Sequence, residues 1–275
     1  MNYKTLLTTT LLAALTLSGF ESNALSANTP PPARVPGLDL VKEEPRTSTN
    51  KSDKLEEDLA DGLVAHYPFS GDANDQSGNE NHLSVQGASL STDRFGMTES
   101  AYSFDGKDDY LFADLDDRKG DFSLSLWAKA NDVEQSRFRS VINIHDKTPG
   151  SAATCQIHTS GGRYPSYQFF SSNPESFALV TTEWQHLAVT VSGKVVRFYE
   201  NGQRVYSQEL EGGEANKFSN IIIGQNRNRD RKYDGSIDDV YVYNRAINDA
   251  EVARLFKDRK STRLNSSHQI ISYAV

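Results

Sequence analysis

An all-β domain, a sandwich or barrel of short antiparallel strands, is what this 275-residue sequence predicts. Three observations predict it. Apolar residues recur with period two through the middle of the chain. Gly and Asn turns separate these runs at short intervals. A helical period emerges only once, near the C-terminus.

The first segment reads as an export signal. Lys4 gives a positive start, "LLTTTLLAALTLSGF" supplies a short apolar run, and Ser22 and Ala24 in "SNA" form a small-residue cleavage site. The run is shorter than the roughly 20 apolar residues a spanning helix needs. "TLSGF" carries no cysteine for lipid attachment. Residues 1–24 are therefore expected to be removed, leaving a secreted, periplasmic or extracellular protein without membrane insertion. Residues 25–60 follow as a spacer. No aromatic residue occurs between Glu21 and His66, and Pro30, Pro31, Pro32, Pro36 and Pro45 fall in this stretch. "KEEPRTSTNKSDKLEEDLAD" has too little apolar surface to offset chain entropy.

Strands begin near Gly62. In "DFSLSLWAKAN", Phe122, Leu124, Leu126 and Ala128 fall on one face, and Ser123, Ser125, Trp127 and Lys129 on the other. "SVINIHD", "CQIHTS" and "SYQFFSS" continue as short strands. Asn201-Gly202 favours the positive φ values of a type I′ turn, so Val195–Glu200 is expected to pair with Gln203–Glu209. "NIIIGQ" and "DVYVYNR" are late core strands. The helix is expected between Asn248 and Phe256, where Asn248 and Glu251 have capping-box spacing.

The last residues depart from this grammar. Back-translated, Asp258 to Val275 resembles a sequencing adapter, with Gln269 and Ile270 where an index falls. Residues 258–275 are therefore expected to be adapter-derived and not part of the domain. The native end of the chain, and any domain beyond it, is left open.

Bulk composition narrows the partners. A net charge of -8 disfavours nucleic acid and anionic membrane surfaces. The lone Cys155 excludes an intrachain disulfide and reads as a small buried hydrophobe.

Five segments then occur in order: "LVAHYPFSGDANDQSGNENH", "AYSFDGKDDYL", "DFSLSLWAKA", "EWQHLAVTVSGKVVRFYENGQRV" and "YDGSIDDVYVYNRAINDAEVARLF". Together they resemble the laminin G-like, concanavalin A-like lectin/glucanase family, in the form common in bacterial secreted proteins. The resemblance covers residues 61–257 and implies a two-sheet antiparallel jelly-roll sandwich, with one concave sheet and one short C-terminal helix. Glu80 and Leu83 stand where the family often has Gly.

The fold hosts enzymes and lectins alike, so chemistry has to be sought in the site. Glycoside hydrolysis needs two carboxyls flanking one bond. Glucanases of this fold carry them as Glu-x-Asp-x-Glu, and the folded region has no such run. Asp238 and Asp239 are adjacent, so on a regular strand they point to opposite faces and cannot flank one bond. Calcium is a better use of acids. "SGDANDQSGNENH" is a loop rich in oxygen ligands, with Asp72 and Asp75 prominent. The resemblance implies a structural Ca²⁺ joining this loop, through Asp72 or Asp75, to the late strand, through Asp238 or Asp239. The other reading of these residues is as turn formers.

Sugar binding needs a solvent-side aromatic with polar neighbours. Trp127 is on the face opposite the apolar set, and Trp184 shares a face with His186. "GQNRNRDRKYDG" adds Arg227, Arg229, Arg231 and Tyr233, whose guanidinium forks suit an acidic or sulfated glycan. The expectation is a secreted, non-catalytic recognition module for a glycan or a cell-surface or extracellular protein. An enzyme of the same fold, or an interaction module of a longer surface protein, are the alternatives.

Overall fold

The computed structural model describes residues 59–133, 138–148, 154–160, 166–170, 175–209 and 217–258. The export signal, almost all of the spacer and nearly all of the adapter-like tail lie outside the described residues. The strands are β1 (Leu63–Tyr67), β2 (Ser84–Gln86), β3 (Ser89–Ser91), β4 (Ala101–Asp105), β5 (Tyr110–Lys119), β6 (Phe122–Ala130), β7 (Arg139–His145), β8 (Thr154–Thr159), β9 (Ser166–Phe170), β10 (Glu175–Leu179), β11 (Gln185–Ser192), β12 (Val195–Glu200), β13 (Gln203–Glu209), β14 (Lys217–Ile223) and β15 (Asp234–Tyr243). One helix, α1 (Asp249–Lys257), follows.

They form two antiparallel sheets. The eight-stranded sheet runs β13-β12-β11-β6-β15-β4-β3, with β1 also paired to β15. The seven-stranded sheet runs β10-β9-β8-β7-β14-β5-β2. This is the jelly-roll sandwich that the resemblance implies.

Period-two patterning fills the space between the sheets. Phe122, Leu124, Leu126 and Ala128 of β6 are fully buried there with Leu187, Val189 and Val191 of β11. The facing sheet contributes Leu111, Ala113 and Leu115 of β5, Ile144 of β7, Ile157 of β8, and Ile221 and Ile223 of β14. The β12–β13 hairpin forms as expected, with Asn201 at φ 50° and Gly202 at φ 77°. The helix starts as expected too: Asn248 accepts from the Ala250 and Glu251 backbone N–H groups, and Glu251 accepts from the Asn248 N–H at 2.6 Å.

The second face of β6 departs from expectation. Ser123, Ser125 and Trp127 are buried as well. A second apolar cluster lies over this face, with Val252 and Leu255 of α1, Ile247 and Leu59 packed with Ala188, Tyr199, Tyr241 and Tyr243. Leu59, counted with the spacer in the sequence, is thus part of the fold. No helix among the described residues is long and apolar enough to cross a membrane.

Candidate functional site

Asp238 and Asp239 do not point to opposite faces. Arg94 Nη1 donates to Asp238 Oδ2 at 2.7 Å, and Arg94 Nη2 donates to Asp239 Oδ2 at 2.8 Å. The register between β15 and β6 shifts between Asp238 and Tyr241, and Asp239 sits at φ 52°. This bulge turns the second acid back to the side of the first. His66 Nε2 donates to Asp239 Oδ1 at 3.1 Å, and the His66 ring stacks on Tyr241 at 4.0 Å. The Arg94 side chain is itself almost wholly buried.

The early loop is organised separately. Asp75 accepts four hydrogen bonds, from His66 N and Ser77 N at Oδ1 and from Ser77 Oγ and Asn81 N at Oδ2. Asp72 accepts from Asn74 N and Nδ2. These are the turn-forming bonds such residues make with nearby backbone. A calcium ion shared between loop and strand needs oxygens aimed at one point. Here Asp75 serves its own loop, and Asp238 and Asp239 serve Arg94. The join between loop and strand is His66, through its backbone N to Asp75 and through its ring to Asp239. The expected set of Asp72, Asp75, Asp238 and Asp239 does not fit the ion, because a guanidinium and an imidazole already hold the strand-side acids. A different acidic group, Asp105, Asp108 and Asp109, brings carboxylate oxygens within 4.8 Å at the β4–β5 turn. There Asp109 Oδ2 accepts from Asp105 N, and Asp105 accepts from Lys107 N and Nζ.

Trp127 is not a sugar platform either. It is only 9% exposed, with Phe256 of α1 stacked on it at 5.5 Å and Arg94 over its ring at 4.6 Å. His186 is buried beside it, edge-on at 5.4 Å, and hydrogen-bonded to Ser125 Oγ at 2.9 Å. Burial pushes its pKa down to about 3. Trp184 stands half-buried in the turn ahead of β11. Period two correctly placed Trp127 and His186 on the second face, but the terminal helix takes the position a sugar was expected to fill.

The arginine loop between β14 and β15 divides. Tyr233 is part of the core between the sheets, its hydroxyl 3.4 Å from that of Tyr167. Arg229 is exposed at φ 61°, 5.7 Å from the Tyr110 ring. Arg231 is half-buried, 5.0 Å from the Phe138 ring. Asn226 shapes this loop: its Oδ1 accepts from Asp230 N and Arg231 N, and its Nδ2 donates to Asp230 Oδ1. Arg227 N donates to Asn143 Oδ1 on β7.

That bond leads to a face the sequence reading passed over. Cross-strand partners share a side of their sheet. Asn143 pairs with Gln156 and Ile222, His145 with Asn220, and His158 with Ser140 and Gln168. Their strand neighbours Ile144, Ile157, Ile221 and Ile223 point into the core, so these side chains lie on the outer face of the seven-stranded sheet. They form three polar rows, roughly 7 Å apart along the strands. Most are buried. Among the described residues, His145 Nδ1, Gln156 Oε1, Asn220 Oδ1, Ser140 Oγ and Gln225 Nε2 are buried atoms with no hydrogen-bond partner. Such atoms call for water or a polar ligand. Trp127 Nε1 and His186 Nδ1 also lack partners among the described residues, but beneath α1. Burial lowers the pKa of His145, and the nearby Arg227 lowers it further. His158 is pushed down to about 4, by burial first and Arg231 second. Both shifts favour the neutral imidazole. The sequence signal was present: Asn143 and His145, then Gln156 and His158, alternate with the core isoleucines.

The family model described as Concanavalin A-like lectin/glucanases superfamily, Laminin_G_3, matches residues 104–253, just over half of the chain. No curated protein matches. Among solved structures, the chain is similar to domain 4 of AbnA, a GH43 extracellular arabinanase from Geobacillus stearothermophilus, in complex with arabinotriose. Identity is 20% and the TM-score 0.56, covering 70% of this chain and 97% of that one. It is also similar to the binding domain of Paraclostridial Mosquitocidal Protein 1 (19% identity, TM-score 0.57, 72% of this chain and 52% of that one). A third is the ligand binding domain of botulinum neurotoxin serotype D in complex with N-acetylneuraminic acid (16%, 0.57, 74% and 52%). The match spans about half the length of the two toxin chains, and at these identities the likeness speaks for the fold. With two antiparallel sheets in jelly-roll order and a family match across more than half its length, the chain belongs to the concanavalin A-like lectin/glucanases superfamily, in its laminin G-like form.

Proposed function

We propose that this domain is a non-catalytic carbohydrate-recognition module, exported from the cytoplasm, and that its glycan lies on the outer face of the seven-stranded sheet. The observation that carries the reading is the polar layer on that face. Gln156, Asn220, His145 and Ser140 hold buried polar atoms without hydrogen-bond partners among the described residues. An unmade buried hydrogen bond costs about 1–3 kcal/mol, so a fold keeps several only where something else completes them. Sugar hydroxyls both donate and accept, which suits a layer of amides, hydroxyls and neutral imidazoles. The arabinotriose and N-acetylneuraminic acid complexes of two similar structures support a sugar over other polar ligands. Export rests on Lys4, the apolar run behind it and the Ser22/Ala24 cleavage site.

Catalysis is disfavoured by the same chemistry. Hydrolysis needs two carboxyls facing one bond. Asp238 and Asp239 are on the other sheet and bound to Arg94. Asp114, the acid opposite Asn220, is exposed and lies 3.8 Å from Lys147.

A glycan array probed with the full-length protein tests the reading, alongside Gln156→Met and Asn220→Leu. Both variants replace an unpartnered polar group by an apolar one of similar size. Stability is expected to hold or rise by about 1 kcal/mol, while glycan binding is lost. Binding that survives in both variants would move the site elsewhere. A folded wild-type protein that binds no glycan would end the reading.

A further inference from the structure

We propose that one end of this face selects for charge: Arg231, stacked on Phe138 beside His158, receives an anionic substituent of the bound glycan. The inference rests on the carbohydrate reading above and adds the ligand class.

The local construction supports it. Phe138 is 47% exposed, a large apolar ring left open at the start of β7. Its ring lies against His158 at 5.3 Å, and the Arg231 guanidinium lies over it at 5.0 Å. The Arg231 backbone is fixed on both sides, its N donating to Asn226 Oδ1 and its O accepting from Ser140 N. No carboxylate among the described residues forms an ion pair with Arg231. Asp230, the acid beside it in the chain, is instead held by Asn226 Nδ2 at 2.7 Å. A guanidinium held by an aromatic ring, with its acid neighbour tied to Asn226 rather than to it, presents its donors to a ligand. The field of Arg231 reaches into the polar rows, where it helps keep His158 neutral.

At the opposite end the charges are paired, Asp114 with Lys147 at 3.8 Å and Asp146 with Lys217 at 3.4 Å. There Asp114 faces Asn220 and His145, and the nearby Asp146 accepts from Thr148 N and Oγ1. The polar rows thus run from a cationic, aromatic end at Phe138 to an end at Asp114 where each acid has a lysine partner. A sugar stacked on Phe138 brings a ring substituent within reach of Arg231. Carboxylate and sulfate share the geometry that a guanidinium fork recognises.

The test compares full-length wild type, Arg231→Gln and Phe138→Ala. The probes are oligogalacturonate, its carboxyl-reduced form, sialyllactose, lactose, and sulfated and desulfated chondroitin oligosaccharides. At least one anionic probe is expected to bind roughly 10- to 100-fold tighter than its neutral counterpart, as a charge-assisted hydrogen bond implies. The margin shrinks as salt is raised. Arg231→Gln should erase that margin while keeping the wild-type melting temperature and the residual affinity for the neutral sugar. Phe138→Ala should weaken charged and neutral forms together. The three anionic probes separate uronate, sialate and sulfate as the source of the charge. Equal affinity for charged and neutral partners would overturn the inference and leave the carbohydrate reading standing, as would a margin that persists in Arg231→Gln. Absence of all glycan binding would remove both.

Discussion

At Arg94, one guanidinium compensates two buried carboxylates, Asp238 and Asp239, and Nη2 also donates to the Asp258 backbone O at 3.1 Å. Removing one partner of a buried ion pair costs about 3–5 kcal/mol, because the charge left behind has neither water nor a counter-ion. Arg94→Met is therefore expected to lower the unfolding free energy by about that much, read as a shift in urea midpoint at unchanged slope. Adding Asp238→Asn and Asp239→Asn should recover part of the loss, since an amide is cheaper to bury than a carboxylate. If Arg94→Met alone shifts the midpoint by less than about 1 kcal/mol, the cluster behaves as a solvated surface network. The acids were visible in the sequence; their partner was not. Strand periodicity sent them to opposite faces, and a single residue at positive φ, Asp239, reversed that count. Arg94 stands 144 residues from Asp238 in a turn with no periodic signal, so only the fold brings them together. Asp258, set aside with the adapter-like tail, likewise meets both Arg94 and Tyr241.

Elements were more legible than sites, because an element is written in local periodicity and a site in distant contacts. The β6 alternation, the Asn201-Gly202 hairpin and the Asn248–Glu251 helix start each follow from a few adjacent residues. What covers a face does not. Helix α1 reaches the sheet by laying Phe256 on Trp127, and Phe256 meets the hairpin turn as well. A Cβ at Gly202 would stand 2.7 Å from Phe256 Cβ and 2.9 Å from its ring, and the residue is at φ 77°. Gly202 therefore serves the turn and the helix docking together. Gly202→Ala is expected to destabilise by about 1–3 kcal/mol through strain and overpacking. It should also change the near-ultraviolet circular dichroism of Trp127 as α1 shifts. A turn defect without any change in the Trp127 signal would show that the helix does not lean on the hairpin. The same docking explains why an aromatic on the expected face failed as a sugar platform: it was already the helix's partner.

Across the whole molecule, the two sheets treat their outer faces differently, and histidine shows the consequence. The eight-stranded sheet buries His186 beneath α1; the seven-stranded sheet carries His158 and His145 in its polar rows. All three have pKa values below the ordinary histidine range, with burial the largest cause. A histidine that stays neutral when folded but takes a proton when unfolded penalises the folded state as pH falls. The penalty is absent above about pH 6.5, where both states are neutral. It then grows until the folded pKa is reached, about 4 for His158 and about 3 for His186. Between pH 6.5 and 4.5, below the unfolded histidine value and above most carboxylates, these two residues predict a fall in unfolding free energy of about 2 kcal/mol per pH unit. His158→Gln should about halve that slope, and the change is measurable by urea titration at closely spaced pH values. A flat profile across this window would mean that the imidazoles are charged in the folded protein. The rows on the seven-stranded sheet would then carry positive charge, and anionic ligands would be favoured along the whole face rather than at its Arg231 end.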